Sequence, residues 1–167
     1  MLFDLQAEFK MLYIRYKRSK DEKLFWNKML STNMGLIEDF RVLSIDDPGL
    51  KPKFTSWPQE ISFLGSDWFS FGVESLLACT STAITLNKSY MGNKDMDKIL
   101  RKWKAGGLPY LKRLGIISLR FNDYGERILG MVWSKLDGMV IKTDDGSKTA
   151  TIDLGKHWIL MSVTSSE

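Results

Sequence analysis

The sequence predicts an α+β protein: N-terminal and central helices packed on a C-terminal five-stranded antiparallel β-meander. Three observations predict it. An apolar stripe at helical spacing runs through the first 18 residues, a second amphipathic run spans Met96 to Trp103, and the last third alternates around Asp-Gly pairs. The length of 167 residues fits one domain, 1–167, with 1–30 as a helical segment and 116–164 as the meander.

Taken in order, Leu2, Leu5, Phe9, Leu12 and Tyr16 recur three and four residues apart and line one helix face. Ser19-Lys20-Asp21-Glu22 matches a capping box, so a second helix is expected from there to about Leu30. Residues 36–45 predict a strand. Residues 46–58 hold three of the four prolines and predict a long surface loop. Ile61 and Phe63 predict a short strand. Residues 67–87 mix two signals: Trp68, Phe69, Val73, Leu76 and Leu77 suit a helix, whereas Thr80 to Thr85 is β-like.

Met96, Ile99, Leu100 and Trp103 stand at i, i+3, i+4 and i+7, which predicts a helix ended by Gly106-Gly107. Pro109 then opens a short helical piece to Gly115. Strands are expected at 116–121, 126–135, 139–144, 147–154 and 157–164. Asp137-Gly138 and Asp145-Gly146 read as hairpin turns, the latter a two-residue turn with both central residues at positive φ. That turn pairs Ile141 with Ala150 and Met139 with Ile152, and turns Lys142 and Thr149 to the opposite face.

Composition narrows the function classes. Net charge is +4, but residues 1–30 carry +3 and residues 94–113 carry +5, leaving −4 on the remainder. Two basic segments on an acidic body predict localised contact with an anionic partner. The single cysteine, Cys79, excludes an internal disulfide and lies in an apolar run where a buried thiol is expected. No secretory leader is visible. The longest uncharged stretch, Ser75 to Asn87, is shorter than the roughly 20 residues that cross a bilayer. Cytoplasm, with the nucleus as the other compartment, is the expected location.

Catalytic chemistry finds little support. With His157 the sole histidine, a histidine zinc cluster and a paired-histidine acid–base system are excluded. No P-loop, dinucleotide-binding turn or nucleophile elbow is present. Asp46-Asp47 and Asp144-Asp145 suit turns, and Asp95 with Asp97 suits a helix start. The expectation is a non-enzyme with no cofactor and no metal.

The binding signals are stronger. Tyr13, Arg15, Tyr16, Lys17, Arg18 and Lys20 interleave rings with cations, and Lys98, Arg101, Lys102, Lys104, Lys112 and Arg113 form a second basic cluster. Such surfaces suit RNA phosphates with stackable bases, or anionic lipid headgroups. Of the six tryptophans, Trp103, Trp133 and Trp158 are expected in the core, and Trp57 and Trp68 flank the proline-rich loop as stacking or interface aromatics. In size, basicity and α+β layout the chain resembles the small matrix proteins of negative-strand RNA viruses. That resemblance implies self-association, with contacts to ribonucleoprotein and to an anionic membrane surface. The chain lacks the PPxY motif common in those proteins. Two alternatives stand beside it: a nucleic-acid-binding module of the cap-binding or silencing-suppressor type, and a divergent metal-dependent phosphoryl-transfer enzyme using Asp46, Asp95 or Asp97.

Overall fold

Alternation of apolar and polar residues puts every second side chain of a strand on one face, so strands laid in register build continuous apolar rows. Two such rows organise this protein. The computed structural model describes residues 9–15, 33–43, 54–64 and 71–165. Its strands are β1 (Phe9–Arg15), β2 (Ile37–Leu43), β3 (Glu60–Phe63), β4 (Ala83–Leu86), β5 (Arg113–Ile117), β6 (Val140–Lys142), β7 (Lys148–Leu154) and β8 (Trp158–Ser165). They form one eight-stranded sheet in the order β1-β2-β3-β4-β5-β8-β7-β6. Strands β1 to β5 are parallel neighbours, and β5, β8, β7 and β6 pair antiparallel.

The first inward row runs Leu12, Phe40, Ile61, Ile84, Leu114, Met161, Ile152. The second runs Ile14, Val42, Phe63, Leu86, Ile116, Ile159, Leu154. Both feed a single hydrophobic core. Helices α1 (Val73–Ala78) and α2 (Asn93–Lys104) lie in the β3–β4 and β4–β5 crossovers and cover that face. They contribute Leu76 and then Met96, Ile99, Leu100 and Trp103, all fully buried. Each parallel strand with its crossover is a unit that cannot bury its face alone, the logic of a solenoid. Register-equivalent residues Leu12, Phe40, Ile61, Ile84 and Leu114 are 28, 21, 23 and 30 residues apart, so no sequence period announces the arrangement.

This architecture corrects the expected helices on a five-stranded meander: the molecule is mostly β, and only α2 among its helices exceeds six residues among the described residues. Residues 9–15, expected in the N-terminal helix, are strand β1. Leu12 also satisfies a two-residue alternation with Ile14, and pairing with Phe40 and Val42 selects that pattern over the helical one. The rest of the expected N-terminal helices, including the capping box at Ser19, lies outside the described residues. The helical piece after Pro109 is instead a tight turn leading into β5, where Leu114 and Ile116 complete both apolar rows.

The expected strand at 126–135 is also absent: the segment is a loop with one Ile128–Met131 bridge and a 3-10 turn, Trp133–Leu136. Side chains of α2 explain it. Asn93 Nδ2 donates to the carbonyls of Asn122 (2.7 Å) and Glu126 (3.0 Å), and Asp97 accepts from the Leu129 N–H at 2.7 Å. The loop's polar backbone is thereby satisfied without a ladder. The strand order is not sequential either, because β8 inserts between β5 and β7.

Other expectations hold. Met96 to Trp103 is the buried stripe of α2, and Gly106 beyond it has φ of +88°. The ambiguous 67–87 stretch resolves, within its described part, into α1 followed by β4. Ile141 pairs with Ala150 and Lys142 with Thr149, and the Ile152 N–H bonds to the Met139 carbonyl at 2.9 Å. The turn itself differs: Gly146 has φ of +72°, but Asp145 is not at positive φ. It is a longer Thr143–Lys148 loop, held by Asp145 accepting from the Thr143 hydroxyl and the Ser147 N–H.

Candidate functional site: an open sheet face and an adjoining cleft

Because helices cover one side of the sheet, the other side carries every second strand residue outward. One outward row reads Tyr13, Arg41, Ser62, Thr85, Gly115, Leu160, Asp153. The next reads Met11, Asp39, Glu60, Ala83, Arg113, Ser162, Thr151, Val140. No described element covers this face. Large apolar side chains stand exposed on it: Met11 and Tyr13 at the β1 edge, Val140 at the β6 edge, and the paired Ile117 and Trp158 between them. At its centre Gly115 leaves a shallow dip into which Leu160 leans, 3.8 Å from where a Cβ would stand.

Charges on this face are few and partly cancelled. Arg41 pairs with Asp39 at 2.7 Å, and the carboxylate raises the guanidinium pKa still further. Of the residues expected to bind an anionic partner, Tyr13, Arg15 and Arg113 come to the open face. Lys98, Arg101, Lys102 and Lys104 sit on α2, in the opposite layer, so the two basic clusters do not share a face. Three of these helix cations are engaged: Lys98 with Glu74, Arg101 with Asp97 at 2.8 Å, and Lys104 with Asp144 at 3.7 Å and the Lys142 carbonyl. Lys112 is exposed immediately before β5. Tyr16, Lys17, Arg18, Lys20 and Trp68 lie outside the described residues.

Trp57 is half-buried, stacked on Phe54 at 4.5 Å between ring centres and edge-on to Phe71 at 5.9 Å, which is core packing. Trp158, expected in the core, is 42 % exposed. Its parity on β8 places it with Leu160 on the outward face, and its indole lies over Gly155, where any Cβ would collide. Cys79 is buried at the end of α1, and burial raises its thiol pKa. Asp95 caps the start of α2 through the Gly92 N–H at 2.9 Å. Among the described residues no three His, Cys, Asp or Glu side chains converge as a metal centre requires. No described helix is long and apolar enough to cross a membrane.

Beside Trp158 a cleft of about 520 Å³ opens between the 121–124 loop, the 3-10 turn and the β7–β8 turn. Its walls include Phe121 and Trp133, stacked at 4.4 Å, and its polar groups include Asp123, Asp137, Lys156 and His157. Asp123 accepts from the Ser134 N–H and Asp137 from the Leu154 N–H, bonds that anchor the two ends of the 3-10 turn. His157 Nδ1 is buried without a hydrogen-bond partner among the described residues. Sequence reasoning missed this cleft. Each of its aspartates sits in a segment that reads as a turn or strand, and Phe121, Trp133 and His157 share no local spacing.

Residues 54–116, which span β3 to β5 with both helices, match a protein family described as F-box associated. The match covers 63 residues, fewer than half of the chain. No curated protein and no solved structure matches the chain.

Proposed function

We propose that this protein is a non-enzymatic protein-recognition module that uses the open face of its eight-stranded sheet. The observation that carries the reading is that face: a broad β surface with exposed Met11, Tyr13, Ile117, Val140 and Trp158, and with its Arg41 charge already paired. Contiguous apolar surface rimmed by polar groups is the usual mark of a protein partner. The F-box associated similarity over β3–β5 supports the same class, since those strands form the middle of the face. The reading places the protein in the cytoplasm or nucleus.

RNA or an anionic membrane remains a second proposal, carried by Tyr13, Arg15 and Arg113 on the same face. Partnered cations on α2 weaken it, because each must give up a carboxylate to reach a phosphate.

Site-specific photo-crosslinking in cells separates the readings. A photoreactive residue replaces Ile117, Val140 or, as a control, exposed Lys102. Protein adducts common to positions 117 and 140 and missing at 102 are expected, and Tyr13→Asp should reduce them. Self-adducts would make the partner a second copy. RNA or lipid adducts, or equal labelling at Lys102, would overturn the reading.

A further inference from the structure

We infer that the cleft beside Trp158 receives an arginine side chain from the bound partner. The proposal rests on the reading of the protein as a protein-recognition module. The cleft adjoins the open face directly, since Trp158 of that face packs over Gly155, a residue of the cleft wall.

Its chemistry selects a planar cation. Asp123 and Asp137 each have one oxygen bonded to a backbone N–H, at 2.7 and 2.8 Å, and a second oxygen without a partner among the described residues. The third group is His157 Nδ1, buried and unpartnered, which accepts a hydrogen bond when Nε2 carries the proton. Three acceptors set around one cavity need several donors in a fixed fork. Guanidinium supplies five, whereas ammonium supplies three about a point.

Charge agrees with this choice. Two carboxylates against Lys156 leave the cleft one negative charge with a neutral imidazole, which a single cation cancels. The apolar walls suit the arginine stem. Tyr124, 99 % exposed at the mouth, offers a ring face on which a guanidinium can stack. The cleft is held in shape from below: Asn93 bonds to the 122–126 loop, and a Cβ on Gly125 would stand 2.8 Å from its amide.

Titrating N-acetyl-arginine amide into the full-length protein at low salt, followed by NMR, tests the site without the natural partner. Saturable shifts are expected at the Trp133 indole N–H and at the Tyr124 and His157 amides. The neutral isostere N-acetyl-citrulline amide should bind about tenfold more weakly, because charge-assisted bonds are lost. Asp123→Asn and Asp137→Asn keep the acceptor for Ser134 or Leu154, so the fold should survive while affinity falls about fivefold or more. Equal binding of citrulline, preference for N-acetyl-glutamate amide, or shifts confined to other surfaces would overturn the inference. If protein crosslinks form on the sheet face while arginine leaves the cleft unshifted, the recognition reading stands and this one falls. Arginine binding without face crosslinks would leave the cleft assignment standing alone.

Discussion

Strands β1–β5 and strands β5–β8 share two apolar rows but assemble them by opposite means. In the parallel half each neighbour is reached through a crossover, and register-equivalent residues are 21 to 30 positions apart. In the antiparallel half β7 turns into β8 through Gly155-Lys156-His157, and β6 into β7 through the Thr143–Lys148 loop. The difference teaches where structural information is stored. The antiparallel half keeps it in turn residues close in sequence, and the parallel half keeps it in burial, which exists only after the chain has closed large loops.

The harshest test of that comparison is Phe40→Ala. Phe40 is fully buried mid-row between Leu12 and Ile61, and its truncation should cost about 3–5 kcal/mol. Because both rows cross from parallel to antiparallel pairing at β5, tryptophan fluorescence and far-UV circular dichroism should report one shared denaturant transition. Separate transitions would show that the halves fold as independent units.

A smaller effect is expected at the joint between them. Asn93→Ala strips two carbonyls and the Asn122 N–H of their partner and should cost about 2–3 kcal/mol. A changed near-ultraviolet signal from Trp133, which stacks on Phe121 of the released loop, is the local readout. An intact signal with unchanged stability would mean that the loop is held by its aromatic packing alone.

Turn chemistry gives the next step down. Gly146→Val forces a β-branched residue into φ of +72° and should cost about 1–2 kcal/mol, lowering Tm by about 2–8 °C. Gly115→Ala in the parallel half should be nearly silent, since its Cβ would meet Leu160 at an ordinary 3.8 Å. Equal losses at the two glycines would break the contrast.

The least effect belongs to Asp145. Bonds from the Ser147 N–H, the Thr143 hydroxyl and the Ser147 hydroxyl lower its pKa from 3.8 to about 2. A carboxyl with a depressed folded value contributes its stability above the unfolded value and loses it as pH falls through the folded one. The Asp145 contribution is therefore complete above pH 3.8 and fades toward pH 2. Carboxyl NMR titration should place the midpoint near 2, and Asp145→Ala should flatten stability across that window. A midpoint near 4 would remove the turn network as its cause.

Legibility in the sequence follows the same division. The α2 stripe, the glycine stop after it, the alternation of β7 and the Ile141–Ala150 register could be read because the deciding residues lie within a few positions of one another. Trp158 shows the limit within a correctly placed strand: a one-residue choice of face separates core from surface, and only pairing with Ile117 sets it. The helical stripe at the N-terminus shows the limit of periodicity. Leu12 fits both periods, and intrinsic preferences of less than about 1 kcal/mol per residue cannot settle a segment that burial will decide.

From residue order alone come the amphipathic helix α2, the turns at Gly138 and Gly146, the lone buried thiol of Cys79 and the scarcity of catalytic groups. Tertiary structure alone makes β1 a strand, inserts β8 beside β5, leaves one sheet face bare and gathers Asp123, Asp137 and His157 around a cleft. The physical reason is range. A cap, a turn or a helical stripe is an interaction among neighbours, whereas a parallel ladder, an open face and a cleft are defined by partners that the backbone brings together only when the core closes.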